Sequence, residues 1–290
     1  MKFITSLAAI FLLGTFSGFA QKNYPPVIEG TREIVYKEIG ETKLKLWMFS
    51  PDDGKAADSR PAIIFFFGGG WKGGSPGQFI SQSEYLAKRG MVAFVADYRV
   101  SSRHGTKAKD CVADARDAMR YVRSHASELG VDPNRLAAGG GSAGGHIAAC
   151  LGVIEDDAAS KPNALALFNP ACVLAPIDGK MPWLEDRSEE LTERMGVDPK
   201  ALSPAHHVSA KAPPCIIFHG KADDTVPYAT AEVFAEKMKA AGVNCVLEGY
   251  EGERHGFFNA GRKPAEGNEP ALPQTLKQLD EFLVELGWLE

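Results

Sequence analysis

Gly140-Gly141-Ser142-Ala143-Gly144 spells G-x-S-x-G, a pattern with chemical meaning when a strand runs into it and a helix runs out. A serine on so sharp a turn has its hydroxyl lifted clear of the sheet edge. Side chains two residues to either side would crowd the turn, which accounts for Gly140 and Gly144. The N-terminus of the following helix favours a developing negative charge. A serine alkoxide does not form unaided at neutral pH, so a base must take the proton. Of the seven histidines, His255 lies in a polar, glycine-flanked stretch directly after the last strand-like segment. The acid that would hold its imidazole is offered between His219 and Pro227, where Asp223 and Asp224 both qualify. Acyl transfer also needs backbone donors for a tetrahedral oxyanion. Gly68-Gly69-Gly70 follows an apolar run, and the N–H groups of Gly69, Gly70 and Ala143 are the candidates for that hole. The bland alternatives are a glycine-rich turn without chemistry and a flexible glycine loop.

These groups meet only if the chain between them places them on one rim. Residues 31–39 and 42–49 are β-like, rich in branched and apolar side chains. Residues 61–67 form a continuous apolar run, as a strand buried on both faces does, and 91–96 form another. Between them, 78–89 has helical character with Gly90 as its cap. A long amphipathic helix is expected over 109–129, with Val112, Ala115, Met119 and Val122 inward and Asp110, Asp114, Asp117 and Arg120 available to the other face. Asp132-Pro133-Asn134 reads as a turn, 135–139 as a short strand and 143–154 as the helix after the serine. Strands at 164–169, 215–219 and 245–250 alternate with a helix at 229–241 and a final leucine-faced helix. This rhythm predicts one mainly parallel, eight-stranded sheet with helices on both faces and an antiparallel start. Loops at the carboxyl ends of parallel strands share a rim, so Ser142, His255 and the acid can converge there. Residues 171–211 interrupt the rhythm and are expected to make a small excursion over the top of the sheet, the alternative being a surface loop.

Composition is that of an ordinary soluble globular protein. The chain has 290 residues, 44% hydrophobic and 24% charged. Net charge is -5 and the pI about 5.9, so no nucleic-acid partner is expected. Met1-Lys2, an apolar run over 3–13 and Gly18-Phe19-Ala20 fit a cleaved secretory signal at 1–20. Gln21 would then begin a mature domain at 21–290 in the periplasm or outside the cell, with no stable membrane insertion after processing. An uncleaved anchor is the alternative. The five cysteines show no CxxC spacing and read best as buried free thiols.

The order strand–GGGW, strand–GGSAGG–helix, strand–HGxxD, strand–HGF resembles the α/β-hydrolase superfamily. It is closer to the hormone-sensitive-lipase-like and feruloyl/acetylxylan-esterase-like (BD-FAE-like) branches, across nearly all of residues 27–290. The resemblance implies an α/β-hydrolase fold with a small cap. It implies Ser142 as nucleophile, Asp223 as acid and His255 as base, and its HGxxDxxVP pattern selects Asp223 over Asp224. Asp97-Tyr98-Arg99 matches a stretch expected to make an ion pair or buried hydrogen bonds beside the site. One departure stands out. The family's HGGG reads Phe67-Gly68-Gly69-Gly70 here, so a loop-stabilising side-chain hydrogen bond would be lost. Phe67 and Trp71 become candidates for bordering the substrate, with simple packing as the alternative.

The function expected is hydrolysis of carboxylic esters through an acyl-enzyme, without cofactor or metal. The resemblance points to removal of acetyl or other small acyl groups from carbohydrate or small-molecule esters. A serine peptidase on the same fold and a catalytically silent binding protein are the alternatives. His146 is expected to pack beneath the nucleophile. His206 and His207 are adjacent and lack an evident third metal ligand.

Overall fold

The computed structural model describes residues 24–52 and 59–290. The expected signal segment lies outside the described residues. The chain opens with β1 (Arg32–Ile39), β2 (Thr42–Phe49), β3 (Arg60–Phe66), α1 (Ile80–Lys88) and β4 (Val92–Ala96). There follow α2 (Ser101–His104), α3 (Ala108–Ser124), α4 (Ala126–Leu129), β5 (Val131–Gly141), α5 (Ala143–Val153) and β6 (Ala164–Phe168). The last part holds α6 (Ser188–Met195), β7 (Cys215–Gly220), α7 (Tyr228–Ala240), β8 (Cys245–Tyr250) and α8 (Ala271–Glu285).

The strands form one eight-stranded sheet in the order β1-β2-β4-β3-β5-β6-β7-β8. β2 pairs antiparallel with β1 and β4, and β3 to β8 all run parallel. Alternation of side chains along β3 shows how both faces are filled. Ile64 and Phe66 join a core with Val112, Met119 and Ile147 from α3 and α5. Ile63 and Phe65 join a second core with Leu86 of α1 and with Leu279 and Phe282 of α8. Burying each such side chain contributes roughly 1.5–3 kcal/mol, so the central strands form a rigid base for the loops at their carboxyl ends. Among the described residues no helix is long and apolar enough to cross a membrane. All five cysteines are free and buried.

Three local expectations change. β5 is longer than 135–139. It begins at Val131, which pairs with Arg60, and the register shifts before Leu136 pairs with Ala62. Asp132-Pro133-Asn134 is therefore an irregularity inside the strand, closed by an Asn134 N–H bond to Asp132 Oδ1 at 2.9 Å. The helix expected over 109–129 breaks at His125, whose φ of -104° and ψ of 19° leave the helical region. Asp114 does not face solvent. Its side chain is fully buried and takes a two-pronged ion pair from Arg99 at 2.8 and 2.9 Å, with Lys37 at 2.7 Å. A buried carboxylate needs such partners, and Arg99 supplies the ion pair expected of the Asp97-Tyr98-Arg99 stretch.

The 171–211 segment folds back over the carboxyl edge of the sheet. It carries a 3-10 turn at Pro182–Arg187 and then α6. Leu184, Leu191 and Met195 turn inward and are buried, which makes the segment a packed cover rather than a free loop.

Candidate active site

Ser142 lies between β5 and α5 with φ 53° and ψ -116°. That conformation is costly for a residue bearing a Cβ. Its neighbours leave room for nothing gentler. A Cβ on Gly144 would lie 2.0 Å from Phe66 O, and one on Gly140 would lie 2.5 Å from the Gly144 carbonyl carbon. Strand and helix therefore pack backbone to backbone, and the turn at Ser142 must be sharp. The Ser142 N–H anchors it to Phe168 O of β6 at 2.8 Å.

His255 is carried by the loop after β8. Its Nε2 lies 2.9 Å from Ser142 Oγ and its Nδ1 lies 2.7 Å from Asp223 Oδ2. Asp223 sits in the turn after β7 with its side chain fully buried. The N–H groups of Thr225 and Val226 each donate to its Oδ1 at 2.9 Å. On Oδ2 it takes Asn169 Nδ2 at 2.9 Å, with His219 Nε2 at 3.3 Å. Burial opposes the charge. Hydrogen bonds from His219, His255 and the Val226 N–H outweigh it and hold the carboxyl well below the usual carboxylate range. An ionised Asp223 accepts from Nδ1–H, which leaves the Nε2 lone pair facing the serine hydroxyl. In that tautomer the imidazole can take the serine proton. Asp224 is 68% exposed and meets Arg254 at 3.1 Å.

Among the described residues, the N–H groups of Gly69, Gly70 and Ala143 donate to no other group of the chain. Gly69 holds a φ of 126° that glycine alone adopts readily. Gly70 and Ala143 line the same cavity as Ser142, whereas Gly69 does not reach its wall. That cavity is ≈ 120 Å³ in volume. Its apolar wall includes Ala171, Val173, Leu174, Leu184, Leu191 and Val226. A second cavity of ≈ 240 Å³ shares Gly70, Trp71 and Arg194 with it, and its other lining residues include Lys72, Thr106, Lys107 and Glu193.

Trp71 borders both cavities, as its sequence position suggests. Phe67 does not. It is 1% exposed and stacks on Tyr98 with ring centroids 4.1 Å apart. The apolar ring packs beneath the glycine loop, where it escapes water, and this corrects the expectation of substrate contact. Nor does the glycine loop go unsupported. Tyr98 OH donates to Phe67 O at 2.6 Å, and the Gly68 N–H donates to Gln78 Oε1 at 2.6 Å.

Asn169 escapes sequence reasoning, and His146 has a wider role than the packing expected of it. Asn169, at φ 44° just beyond β6, links Asp223 to the Gly256 N–H, which meets its Oδ1 at 3.3 Å. Its place at a strand end was a usable signal. His146 is more than packing beneath the nucleophile. Its Nδ1 accepts from Trp71 Nε1 at 3.2 Å and its Nε2 donates to Leu202 O at 2.7 Å. Complete burial pushes its pKa down to about 4, so the ring is neutral and ties the glycine loop to the 171–211 cover. His206 Nε2 meets Pro176 O at 3.1 Å and His207 Nε2 meets Lys200 O at 3.0 Å, so both serve local folding of that cover.

Comparison with known proteins extends these observations. The BD-FAE family model matches residues 48–238. An esterase from the planctomycete Thermogutta terrifontis, solved with butyrate bound, is 52% identical. It superposes with a TM-score of 0.84 over 92% of this chain and 98% of that one. The same esterase phosphonylated by sarin superposes with a TM-score of 0.84 at 51% identity, over 92% and 99% of the two chains. Esterase LipC of Mycobacterium tuberculosis is 30% identical over 78% of this chain. The chain spans little more than half the length of such curated relatives, 59% of LipC and 51% of LipM. With the family model covering most of the sheet and the fold matched nearly end to end, this chain belongs to the BD-FAE family and carries the α/β-hydrolase fold.

Proposed function

We propose that the chain is a serine carboxylic-ester hydrolase that works through an acyl-enzyme. The observation that carries this reading is His255, which bridges Ser142 Oγ at 2.9 Å and Asp223 Oδ2 at 2.7 Å. Ser142 Oγ attacks the ester carbonyl as its proton passes to His255 Nε2. Negative charge on the carbonyl oxygen is met by the N–H groups of Gly69, Gly70 and Ala143. The carbon–oxygen bond to the alcohol breaks, and the alcohol leaves with the proton from His255. Water, activated by the same imidazole, then releases the acid and restores Ser142. Asp223 fixes the tautomer and stabilises the imidazolium. Phosphonylation of the Thermogutta esterase by sarin is the chemistry of an activated hydroxyl and supports the same role for Ser142.

The acyl group is small in this reading. The cavity beside Ser142, at ≈ 120 Å³, is small and favours a short acyl chain. The butyrate complex of the related esterase also favours a short chain. The alcohol half is a carbohydrate or another small hydroxylated molecule, and the second cavity beyond Trp71, with Lys72, Thr106, Lys107 and Glu193 on its rim, offers room for such a partner. Residues 21–290 act as one catalytic domain, exported to the periplasm or beyond on the strength of the N-terminal segment. N-terminal sequencing of secreted protein tests that point, with Gln21 expected first.

Acetate release from acetylated xylan, run beside p-nitrophenyl acetate and the Ser142→Ala variant, tests the chemistry. Release from both substrates, abolished in the variant, is expected. Turnover of the small ester alone keeps the serine mechanism and removes the polysaccharide. Undiminished turnover by Ser142→Ala ends the reading.

A further inference from the structure

The Gly68 N–H can only donate, so the atom of Gln78 that meets it at 2.6 Å must be the amide oxygen. This turns Gln78 Nε2 toward Asn259 Oδ1, 2.9 Å away. Asn259 Nδ2 is then left to donate to Gly256 O at 2.8 Å. A backbone donor at one end and a backbone acceptor at the other fix the direction of both amides, and neither can flip without losing its bonds. Gly256 directly follows His255. Its N–H continues through Asn169 to Asp223. The glycine loop, the imidazole loop and the buried carboxylate are thus joined by side-chain amides.

The loop that Gln78 grips is packed hard against the serine turn. A Cβ on Gly68 would lie 2.9 Å from Gly141 O and 3.3 Å from Ser142 Cβ. Phe67 has no polar side-chain group with which to pin the loop; Tyr98 holds the carbonyl before Gly68, and Trp71 ties the far end of the loop to His146 rather than to the loop of His255. We propose that Gln78, acting through Asn259, is a positioning residue that locks the oxyanion loop to the loop carrying His255. The donors for the oxyanion and the base for the serine proton are thereby held in one geometry. The inference rests on the serine-hydrolase reading. It differs from that reading in what it predicts, because Gln78 touches neither substrate nor the reacting atoms.

Gln78→Met keeps the chain length and removes both polar ends. Gln78→Glu keeps an acceptor for the Gly68 N–H and loses the donor to Asn259. With p-nitrophenyl acetate, Gln78→Met is expected to lower kcat about 10–100-fold with KM within about threefold, since misplaced donors act on the transition state. Affinity for a trifluoromethyl ketone, which forms a tetrahedral adduct, should fall by the same factor as kcat. Gln78→Glu, which still lacks the bridge to Asn259, should recover at most part of that loss and stay about 3–10-fold below wild type. Should Gln78→Met fail to fold, Asn259→Ala removes the far end of the bridge and is expected to lower kcat about 3–10-fold. Stoichiometric labelling by paraoxon separates the two claims. A labelled Gln78→Met enzyme with wild-type kcat overturns the positioning role alone. A wild type that takes up no label overturns the serine reading and this inference with it.

Discussion

Asp223 and Asp224 are neighbours in sequence and opposites in environment. The Asp223 side chain is fully buried and meets His255 at 2.7 Å, while Asp224 is 68% exposed and meets the equally open Arg254. Asp223→Asn should therefore lower kcat by about 10³–10⁴-fold, because an amide can hold the imidazole in the wrong tautomer. Asp224→Asn should stay within about twofold, since an exposed ion pair contributes little. Steady-state rates of both variants on p-nitrophenyl acetate check the assignment, and a crippled Asp224→Asn would reverse it.

Leu191 is buried in the cover and lines the cavity of Ser142. Leu191→Ala enlarges that cavity on its apolar side. Each added methylene housed there is worth about 1–3 kcal/mol in discrimination. The ratio of kcat/KM for p-nitrophenyl hexanoate over acetate should rise about tenfold. An unchanged ratio would move the acyl chain to another wall.

Asn169 holds φ 44°, a conformation that asparagine tolerates better than most residues and glycine best of all. Asn169→Gly keeps that backbone and deletes only the side chain that binds Asp223 and Gly256. A kcat loss of about 10–100-fold with little change in melting temperature is expected. Equal losses of activity and stability would make Asn169 a folding residue only.

Much of this architecture was legible in the chain. The G-x-S-x-G turn, the strand ends bearing Asp223 and His255, and β2 and β8 to the residue follow from local pattern. Periodicity failed where long-range partners decide. Asp114 reads as a polar helix position and is buried only because Arg99 and Lys37 come to meet it. Phe67 reads as a pocket wall and is buried because Tyr98 stacks on it. Gln78 carries no local signal at all, since its partner Asn259 lies far along the chain. The 171–211 cover is held by hydrogen bonds such as His146 to Leu202 O, which no spacing rule anticipates.

Asp97 and His146 are both buried, and pH acts on them in opposite directions. Burial raises the Asp97 carboxyl from 3.8 to about 6, even with the Tyr24 hydroxyl and the Tyr98 N–H donating to it. Its contribution is fully present below pH 3.8 and is lost as pH rises through 6, at about 1.4 kcal/mol per unit. Burial lowers His146 from 6.5 to about 4. A protonated His146 would also set an N–H against the Trp71 N–H. Its contribution is therefore full above pH 6.5 and is lost as pH falls through 4. Between pH 4 and 6 these two slopes oppose each other and largely offset. Asp97→Asn removes one slope and keeps an acceptor for Tyr24 and Tyr98. Urea unfolding of this variant should show stability climbing by about 2–3 kcal/mol from pH 4 to pH 6, with a gain over wild type that grows across the same window. A variant that tracks the wild-type profile would mean that Asp97 is already ionised at pH 4 in the folded chain.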